Sequence, residues 1–296
     1  MSSQPPPGAA QGATLSDHLK ALPTYALPHH GLSSVMHALT RVRWSPFKNA
    51  FIRFIVNAYD VDVGEAADPD FGAYEHFNAF FTRELKEGAR PLPEDANIIT
   101  SPADGRISQI GQVENGRIFQ AKGQGFSLEE LLGGPSEWTR TLDGGPFATV
   151  YLSPRDYHRV HMPVDGTLRA MVHVPGRLFS VAPHNVRAVP RLFARNERVV
   201  TLWDTPIGPM AQILVGAIFV SSMDTVWAGT ITPPGARSIQ RTDYDGSLSL
   251  QRGAEMGRFN MGSTVINVFA PGSLEWNAEL GADSRVLMGQ SLGRPL

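Results

Sequence analysis

The feature that most constrains the fold is a change of pattern near residue 98, where helical spacing gives way to short β-rich runs. From there to the C-terminus, β-branched and aromatic residues cluster between Gly and Pro turns, as is typical of short strands joined by tight connections. The chain shows neither an internal repeat nor a heptad pattern. The sequence therefore predicts a helical N-terminal portion attached to a β-rich body, with strands at residues 107–110, 148–151, 199–203 and 264–269.

The N-terminal portion, residues 15–90, carries apolar residues at helical spacing. Ser45 and Pro46 are typical of an N-cap and a first helical residue. The apolar positions that follow are Phe47, Phe51, Phe54, Ile55 and Ala58. A second short helix is predicted over residues 74–85. Residues 1–55 contain five Lys or Arg and one acidic residue, which fits an anionic lipid surface, although an aromatic stripe is also typical of a core or a dimer interface.

Composition excludes several classes of protein. A formal net charge of −2 and a pI near 6.5 argue against nucleic-acid binding. The absence of cysteine excludes disulfides, cysteine-zinc sites and a thiol nucleophile. The longest apolar run, at residues 213–220, is shorter than the ~20 residues that span a bilayer, so no transmembrane helix is predicted. Residues 1–14 lack a signal-peptide pattern and are predicted to form a disordered tail of a protein that stays inside the cell.

Two histidines three residues apart, His158 and His161, are the first chemical signal. Such a pair could bind a metal only through a bulge or turn, and no third ligand stands nearby in the sequence, so no metal is predicted. An imidazole acting as a general base near neutral pH is the better interpretation, with the other histidine orienting substrate or donating a proton. Two histidines hydrogen-bonded in a turn remain the structural alternative.

Asp104, His161 and Ser263 together can form a base that acts on a hydroxyl. Asp104 lies in a tight turn, where a carboxylate can bond its own backbone or orient a distant histidine. A serine hydrolase of the α/β type would favour Gly-x-Ser-x-Gly, whereas Met261 and Val265 occupy the glycine positions here. The motif argues against an α/β-hydrolase and leaves the geometry to decide.

Several long segments, in order, resemble the bacterial phosphatidylserine decarboxylases, which are pyruvoyl-dependent enzymes of phospholipid biosynthesis. The matching segments are residues 77–85, 101–107, 151–163, 192–198, 208–217, 226–234 and 255–259. One departure lies at the cleavage motif, where similar proteins usually have Leu and this chain has Met261. A Leu-to-Met exchange roughly conserves volume, so processing is expected to survive. Residues 1–14 fall outside the resemblance.

The resemblance implies that phosphatidylserine is decarboxylated to phosphatidylethanolamine through a Schiff base to a pyruvoyl cofactor, which is pyruvate bound covalently to the chain. Loss of CO₂ from an amino acid needs an electron sink, and pyridoxal phosphate is disfavoured because only Lys122 lies in the β-rich body. The pyruvoyl group would arise from Ser263 when its hydroxyl attacks the Gly262 carbonyl. Self-cleavage would then give a larger chain, 1–262, and a smaller chain, 263–296.

In this interpretation His161, oriented by Asp104, activates the Ser263 hydroxyl, and either His158 or His161 protonates the carbanion left by CO₂. The resemblance also implies an α+β fold in which a mostly antiparallel, β-rich core packs against N-terminal amphipathic helices. It further implies a complex of the two fragments, a homodimer of that unit, and a peripheral position on the cytoplasmic face of the cell membrane. Two rival functions stay open: a serine hydrolase that keeps Ser263 intact, and a lipid-binding module without catalysis.

Overall fold

The computed structural model describes residues 12–219, 222–231 and 237–296. Residues 1–11 of the predicted tail and the last three residues of the matching segment 226–234 lie outside the described residues. Residues 12–14 are described, and Thr14 caps the first helix: its side chain accepts from the backbone of Asp17, whose own side chain accepts from the backbone of Thr14. This reciprocal capping satisfies two donors that a helix start leaves unpaired.

Three helices form the N-terminal portion, and shorter ones follow. The helices are α1 Leu15–Ala26, α2 His29–Thr40, α3 Ser45–Tyr59, α4 Phe77–Phe81, α5 Leu128–Leu132, α6 Glu137–Leu142, α7 Pro183–Ala188 and α8 Leu192–Arg195. A single 3₁₀ turn, Val63–Glu65, follows α3. Helix α1 packs on α7, where the Arg187 guanidinium donates to both carboxylate oxygens of Asp17, at 2.7 and 3.0 Å.

The strands lie C-terminal to residue 98, as the change of pattern predicts. They are β1 Ile99–Thr100, β2 Gly105–Gln112, β3 Arg117–Ala121, β4 Gln124–Ser127, β5 Pro146–Tyr151, β6 Arg159–His161, β7 Gly166–Val174, β8 Arg198–Thr205, β9 Gly208–Val215, β10 Met223–Thr225, β11 Gly229–Thr230, β12 Gln240–Asp243, β13 Ser249–Leu250, β14 Glu255–Phe259, β15 Thr264–Phe269, β16 Leu274–Trp276, β17 Arg285–Val286 and β18 Ser291–Pro295. The predicted runs at 107–110, 148–151, 199–203 and 264–269 all lie within strands, and these predictions are confirmed.

The largest sheet in the described part of the chain has nine strands in the order β12-β7-β8-β9-β15-β5-β2-β17, with β13 also paired to β7. Strand β15 is central, antiparallel to both β9 and β5, and each of its residues is buried. A second sheet has four strands in the order β11-β10-β14-β6. Residues 260–263 connect its strand β14 to strand β15 of the largest sheet. The observed architecture is α+β with an antiparallel, β-rich core and N-terminal helices, which confirms the predicted fold class.

Two local predictions were wrong. The helix expected over 74–85 spans only Phe77–Phe81, because the His76 side chain caps its start and the chain leaves the helix at Thr82. On α3, the N-cap is Trp44 rather than Ser45. The buried residues of α3 are Lys48, Ile52 and Ile55, whereas Phe54 is 64% exposed. The predicted aromatic stripe is therefore divided between the core and the surface.

Candidate active site

The connection from β14 to β15 places the Gly262–Ser263 peptide inside the protein. Ser263 is fully buried, and its carbonyl accepts from the Leu152 amide at 2.8 Å. The Ser263 hydroxyl has no hydrogen-bond partner among the described residues. A buried hydroxyl without a partner is costly. Ser33, Thr264 and Ser273 share this property, so Ser263 is distinguished by its position at the Gly262 peptide rather than by the missing partner alone.

His158 is the histidine that lies against this peptide. A Cβ built on Gly262 would come within 3.4 Å of His158 Nε2 and 3.3 Å of the Leu152 carbonyl oxygen. The Nδ1 atom of His158 lies 2.7 Å from the Asp156 carbonyl oxygen. Because a carbonyl can only accept, Nδ1 carries the proton, and Nε2 presents a lone pair. That Nε2 is buried and has no partner within the described residues.

The environment of His158 keeps its ring neutral. Its imidazole is fully buried and packs against the Phe81 ring, with centroids 4.0 Å apart. Burial, together with the positive charge of Arg83, lowers the pKa of His158 to about 3, and the hydrogen bond to the Asp156 carbonyl opposes this only in part. A neutral, unpartnered nitrogen at a glycine peptide can accept a proton or a hydrogen bond there.

His161 has partners for both ring nitrogens. Its Nδ1 lies 2.8 Å from the Gly253 carbonyl oxygen, so Nδ1 donates, and Nε2 accepts from the Tyr157 hydroxyl at 3.0 Å. Burial and the positive charge of Arg159 lower the pKa of His161, while the Gly253 carbonyl and the negative charges of Glu255 and Asp104 oppose the shift in part. A proton on His161 would thus be supported by two nearby carboxylates.

Asp104 does not orient His161 through a hydrogen bond, and the sequence-based expectation on this point was wrong. The Asp104 carboxylate accepts from Arg90, with a closest contact of 2.6 Å, and from the Met288 amide at 2.8 Å. Arg90 also binds Glu65 at 2.7 Å. The alternative, a carboxylate bonded to the backbone of its own turn, is not observed either, because the backbone donor is the distant Met288 amide. Asp104 acts on His161 only through its charge.

The segment around α4 encloses the junction from the other side. Asn78 donates to the Asn260 side chain at 2.8 Å, and Met261 packs against the cluster that contains Phe77, Phe80 and Phe81. This contact explains why a Met at position 261 is accommodated: its flexible side chain meets an aromatic surface.

Residues that sequence reasoning missed are Tyr157, Gly253, Arg90 and Arg83. Tyr157 and Arg83 stand inside two of the matching segments, 151–163 and 77–85, so charged and hydroxylated residues within those segments were the available signal. Gly253 and Arg90 act through a carbonyl and a long-range ion pair, which no local pattern reveals. Within residues 12–219, 222–231 and 237–296, there is no group of three or more His, Asp or Glu residues that could hold a metal ion.

The comparisons with known proteins agree with the resemblance. A family described as phosphatidylserine decarboxylase matches residues 77–294, and a family described as PSD matches residues 19–60. The phosphatidylserine decarboxylase proenzyme of Pseudomonas putida is 54% identical over 288 residues, covering 95% of this chain and 99% of the relative. The proenzyme of Stutzerimonas stutzeri is 55% identical over 284 residues, covering 95% of each chain. That of Methylococcus capsulatus is 55% identical over 282 residues, covering 95% of this chain and 98% of the relative. On this extent of similarity, the chain belongs to the phosphatidylserine decarboxylase family of carboxy-lyases.

Proposed function

We propose that this chain cleaves itself between Gly262 and Ser263 and then decarboxylates phosphatidylserine to phosphatidylethanolamine with the pyruvoyl group made from Ser263. The observation that carries the proposal is the pair of buried, unpartnered atoms at one peptide, Ser263 Oγ and His158 Nε2. Relatives that carry the word proenzyme in their names support a processing step.

The cleavage begins when a base takes the Ser263 hydroxyl proton and Oγ attacks the Gly262 carbonyl carbon. The amide nitrogen of Ser263 leaves as an amine, and an ester joins the two residues. Loss of the Ser263 Cα proton then breaks the Cβ–O bond, which frees residues 1–262 with a C-terminal carboxylate. One water replaces the amino nitrogen at position 263, and ammonia departs. The resulting pyruvoyl carbonyl supplies the electron sink that no ordinary side chain offers.

The electrostatic fields around the two histidines suggest different roles. A general base must hold the proton it removes, and the carboxylates of Glu255 and Asp104 favour a charged His161. To reach Ser263, His161 must exchange the Tyr157 hydroxyl for the serine hydroxyl. His158 lies nearer the junction but beside the positive charge of Arg83, which lowers its pKa. Its Nε2 must therefore take up a proton before it can act as a donor, and once protonated it is a strong acid. We assign activation of Ser263 to His161, with Asp104, and protonation of the product carbanion to His158.

The N-terminal helices present an apolar surface that fits peripheral membrane association. On α1, Leu15, Leu19 and Leu22 are 76%, 61% and 62% exposed, although they repeat at helical spacing. Trp44 and Phe54 are exposed as well. No helix in the described residues is long and apolar enough to cross a membrane. Because a diacyl substrate stays in the bilayer, we propose that this surface rests on the lipid, at the cytoplasmic face of the cell membrane.

The assembly belongs to the same proposal. The 263–296 fragment contains β15, the central strand of the largest sheet, so it would stay bound to 1–262 after cleavage. A homodimer of this two-chain unit remains a proposal taken from the family resemblance.

The direct test is turnover of phosphatidylserine in detergent micelles, measured as phosphatidylethanolamine and CO₂. The wild-type chain should form both in equal amounts, and Ser263→Ala should form neither. Ser273→Ala is the matched control, since Ser273 is also buried with an unpartnered hydroxyl, and it should keep wild-type activity. Release of fatty acid in place of CO₂ would favour the hydrolase, and binding without any product would favour the lipid-binding module.

A further inference from the structure

Arg83 is a buried cation whose hydrogen-bonding capacity the protein does not use. It follows α4 directly and is 4% exposed. Its guanidinium carbon lies 5.2 Å from the centre of the Phe80 ring. Its side chain makes no hydrogen bond or ion pair to any described residue, and its Nε is buried without an acceptor. A guanidinium has five N–H donors in a planar fork, and those of Arg83 have no hydrogen-bond acceptor among the described residues.

The nearby carboxylates are engaged elsewhere. Asp104 and Glu65 both act on Arg83 through their charges. Each of them, however, accepts a hydrogen bond from Arg90, at 2.6 Å for Asp104 and 2.7 Å for Glu65. The charges in this region nearly balance, but the hydrogen-bond donors of Arg83 are left over.

Arg198 shows how the same fold treats a structural arginine. It is 2% exposed, and its guanidinium donates to the carbonyl oxygens of Leu131 at 2.7 Å, Ala194 at 2.8 Å and Asn196 at 2.9 Å. Each of the three guanidinium nitrogens of Arg198 thus donates to a backbone carbonyl, the third to that of Glu130. Arg83 differs because no backbone carbonyl turns toward it, which points to an acceptor that arrives with a ligand.

The position of Arg83 fixes where that ligand would bind. Phe81, two residues before it, packs on the His158 ring, and His158 Nε2 faces Gly262. The positive charge of Arg83 is close enough to His158 to lower its pKa. The Thr82 carbonyl oxygen also accepts from Arg159 Nε at 2.9 Å, so the residue before Arg83 is bonded to the residue after His158. An anion bound by Arg83 would therefore lie on the side of the Gly262–Ser263 junction that the α4 segment covers.

We propose that Arg83 binds the phosphodiester of the lipid head group and so positions the serine moiety at the junction, an inference that rests on the proposed function. The fork of a guanidinium matches two phosphate oxygens. The serine carboxylate is the weaker candidate, because it loses its charge as CO₂ leaves, and a cation that held it would stabilise the ground state more than the transition state. The phosphodiester keeps its charge throughout.

The test uses the uncleaved Ser263→Ala chain and three short-chain lipids below their aggregation concentration. Dihexanoyl phosphatidylserine carries phosphate and carboxylate, dihexanoyl phosphatidylethanolamine carries phosphate only, and dihexanoylglycerol carries neither. Adding Arg83→Gln should raise the Kd for phosphatidylserine and for phosphatidylethanolamine by a similar factor, about 10- to 100-fold. The Kd for dihexanoylglycerol should not change. Arg294→Gln, on an exposed arginine, is the matched control and should change none of them.

Each other outcome overturns the assignment. A loss of affinity confined to phosphatidylserine would show that Arg83 binds the serine carboxylate instead of the phosphate. Unchanged affinity for both phospholipids would show that Arg83 does not contact the lipid. Arg83→Lys, which keeps the charge without the fork, should bind both phospholipids better than Arg83→Gln; if both variants fail to fold, Arg83 is structural. Decarboxylation by the wild-type chain is measured in parallel. Arg83-dependent phospholipid binding without decarboxylation would reject the proposed function and keep the phosphate site.

Discussion

His158 and His161 are three residues apart, and burial lowers the pKa of both, yet their hydrogen-bond partners and nearby charges differ. His158 has a free Nε2 next to Gly262 and the cation of Arg83 nearby. His161 has both nitrogens engaged and lies in the field of two carboxylates. Residue types that look interchangeable in the sequence are thus separated by what packs around them.

Replacing each histidine should separate cleavage from decarboxylation. His161→Ala should leave the chain uncut, because the Ser263 hydroxyl loses its base. His158→Ala should still cleave but form phosphatidylethanolamine at least ~100-fold more slowly, as expected when a positioned proton donor is removed. Gel analysis of the fragments and product formation measure the two effects, with His184→Ala, outside the site, as control. If His158→Ala stays uncut while His161→Ala cleaves, the two roles are reversed.

Gly262 is needed for space rather than for an unusual backbone angle. An alanine Cβ would press on the Leu152 carbonyl oxygen and His158 Nε2, at 3.3 and 3.4 Å. Gly262→Ala should therefore slow cleavage about tenfold or more by displacing the peptide from its base. Gly111→Ala is the matched control, since its Cβ would meet only the Phe147 ring at 3.7 Å. Time courses of precursor conversion give the cleavage rate of each variant. Equal rates for Gly262→Ala and Gly111→Ala would show that cleavage does not depend on the space at Gly262.

At the scale of elements, strands were predictable because their signal is local. The run at 264–269 is apolar and β-branched, and it forms the buried centre of the largest sheet. The helix expected over 74–85 was overextended because Phe77, Phe80 and Phe81 have helical spacing, but beyond Thr82 the chain turns away to pair Leu85 with Ala66. That pairing is tertiary and leaves no trace in the spacing of apolar residues.

The exposed leucines of helix α1 can be tested as part of the proposed membrane-binding surface. Leu19→Ser with Leu22→Ser should reduce binding to vesicles containing anionic lipid by tenfold or more, since each buried leucine contributes about 1.5–3 kcal/mol. The free energy of unfolding should change by less than ~0.5 kcal/mol per site, because both side chains are exposed. Ser16→Ala on the same helix is the control for vesicle flotation. If the double variant still floats with the vesicles but no longer forms a dimer, this face of α1 contacts a second copy of the chain rather than the lipid.

In the whole molecule, the site is assembled from segments far apart in the chain. Asn78 bonds Asn260, Phe81 packs on His158, and Met261 packs on the cluster that joins α3 to α4. The sequence identified Asp104, His158, His161 and Ser263 as candidates through their residue types and the family resemblance. It could not show that Asp104 pairs with Arg90, because that contact depends on how the turn after β1 is placed against the segment before it.

The buried histidines should make the stability of the uncleaved chain depend on pH. His158 has a pKa of about 3 in the fold against an ordinary value of 6.5, so between these values the unfolded chain binds more protons than the folded one. Stability should therefore fall as the pH drops below about 6.5, with this group contributing at most ~1.4 kcal/mol per pH unit. Adding His158→Phe to Ser263→Ala should flatten the dependence in urea unfolding between pH 4.5 and 6.5. An unchanged slope would show that His158 titrates alike in both states.

The conversion of Ser263 into a pyruvoyl group can be tested by the intact mass of the purified protein under denaturing conditions. We expect two chains, 1–262 and 263–296, with the smaller one lighter by one ammonia than simple hydrolysis would make it, and a single uncut chain for Ser263→Ala. A folded wild-type chain that remains whole, or a smaller fragment that keeps an N-terminal serine, would contradict the conversion of Ser263 into a pyruvoyl group.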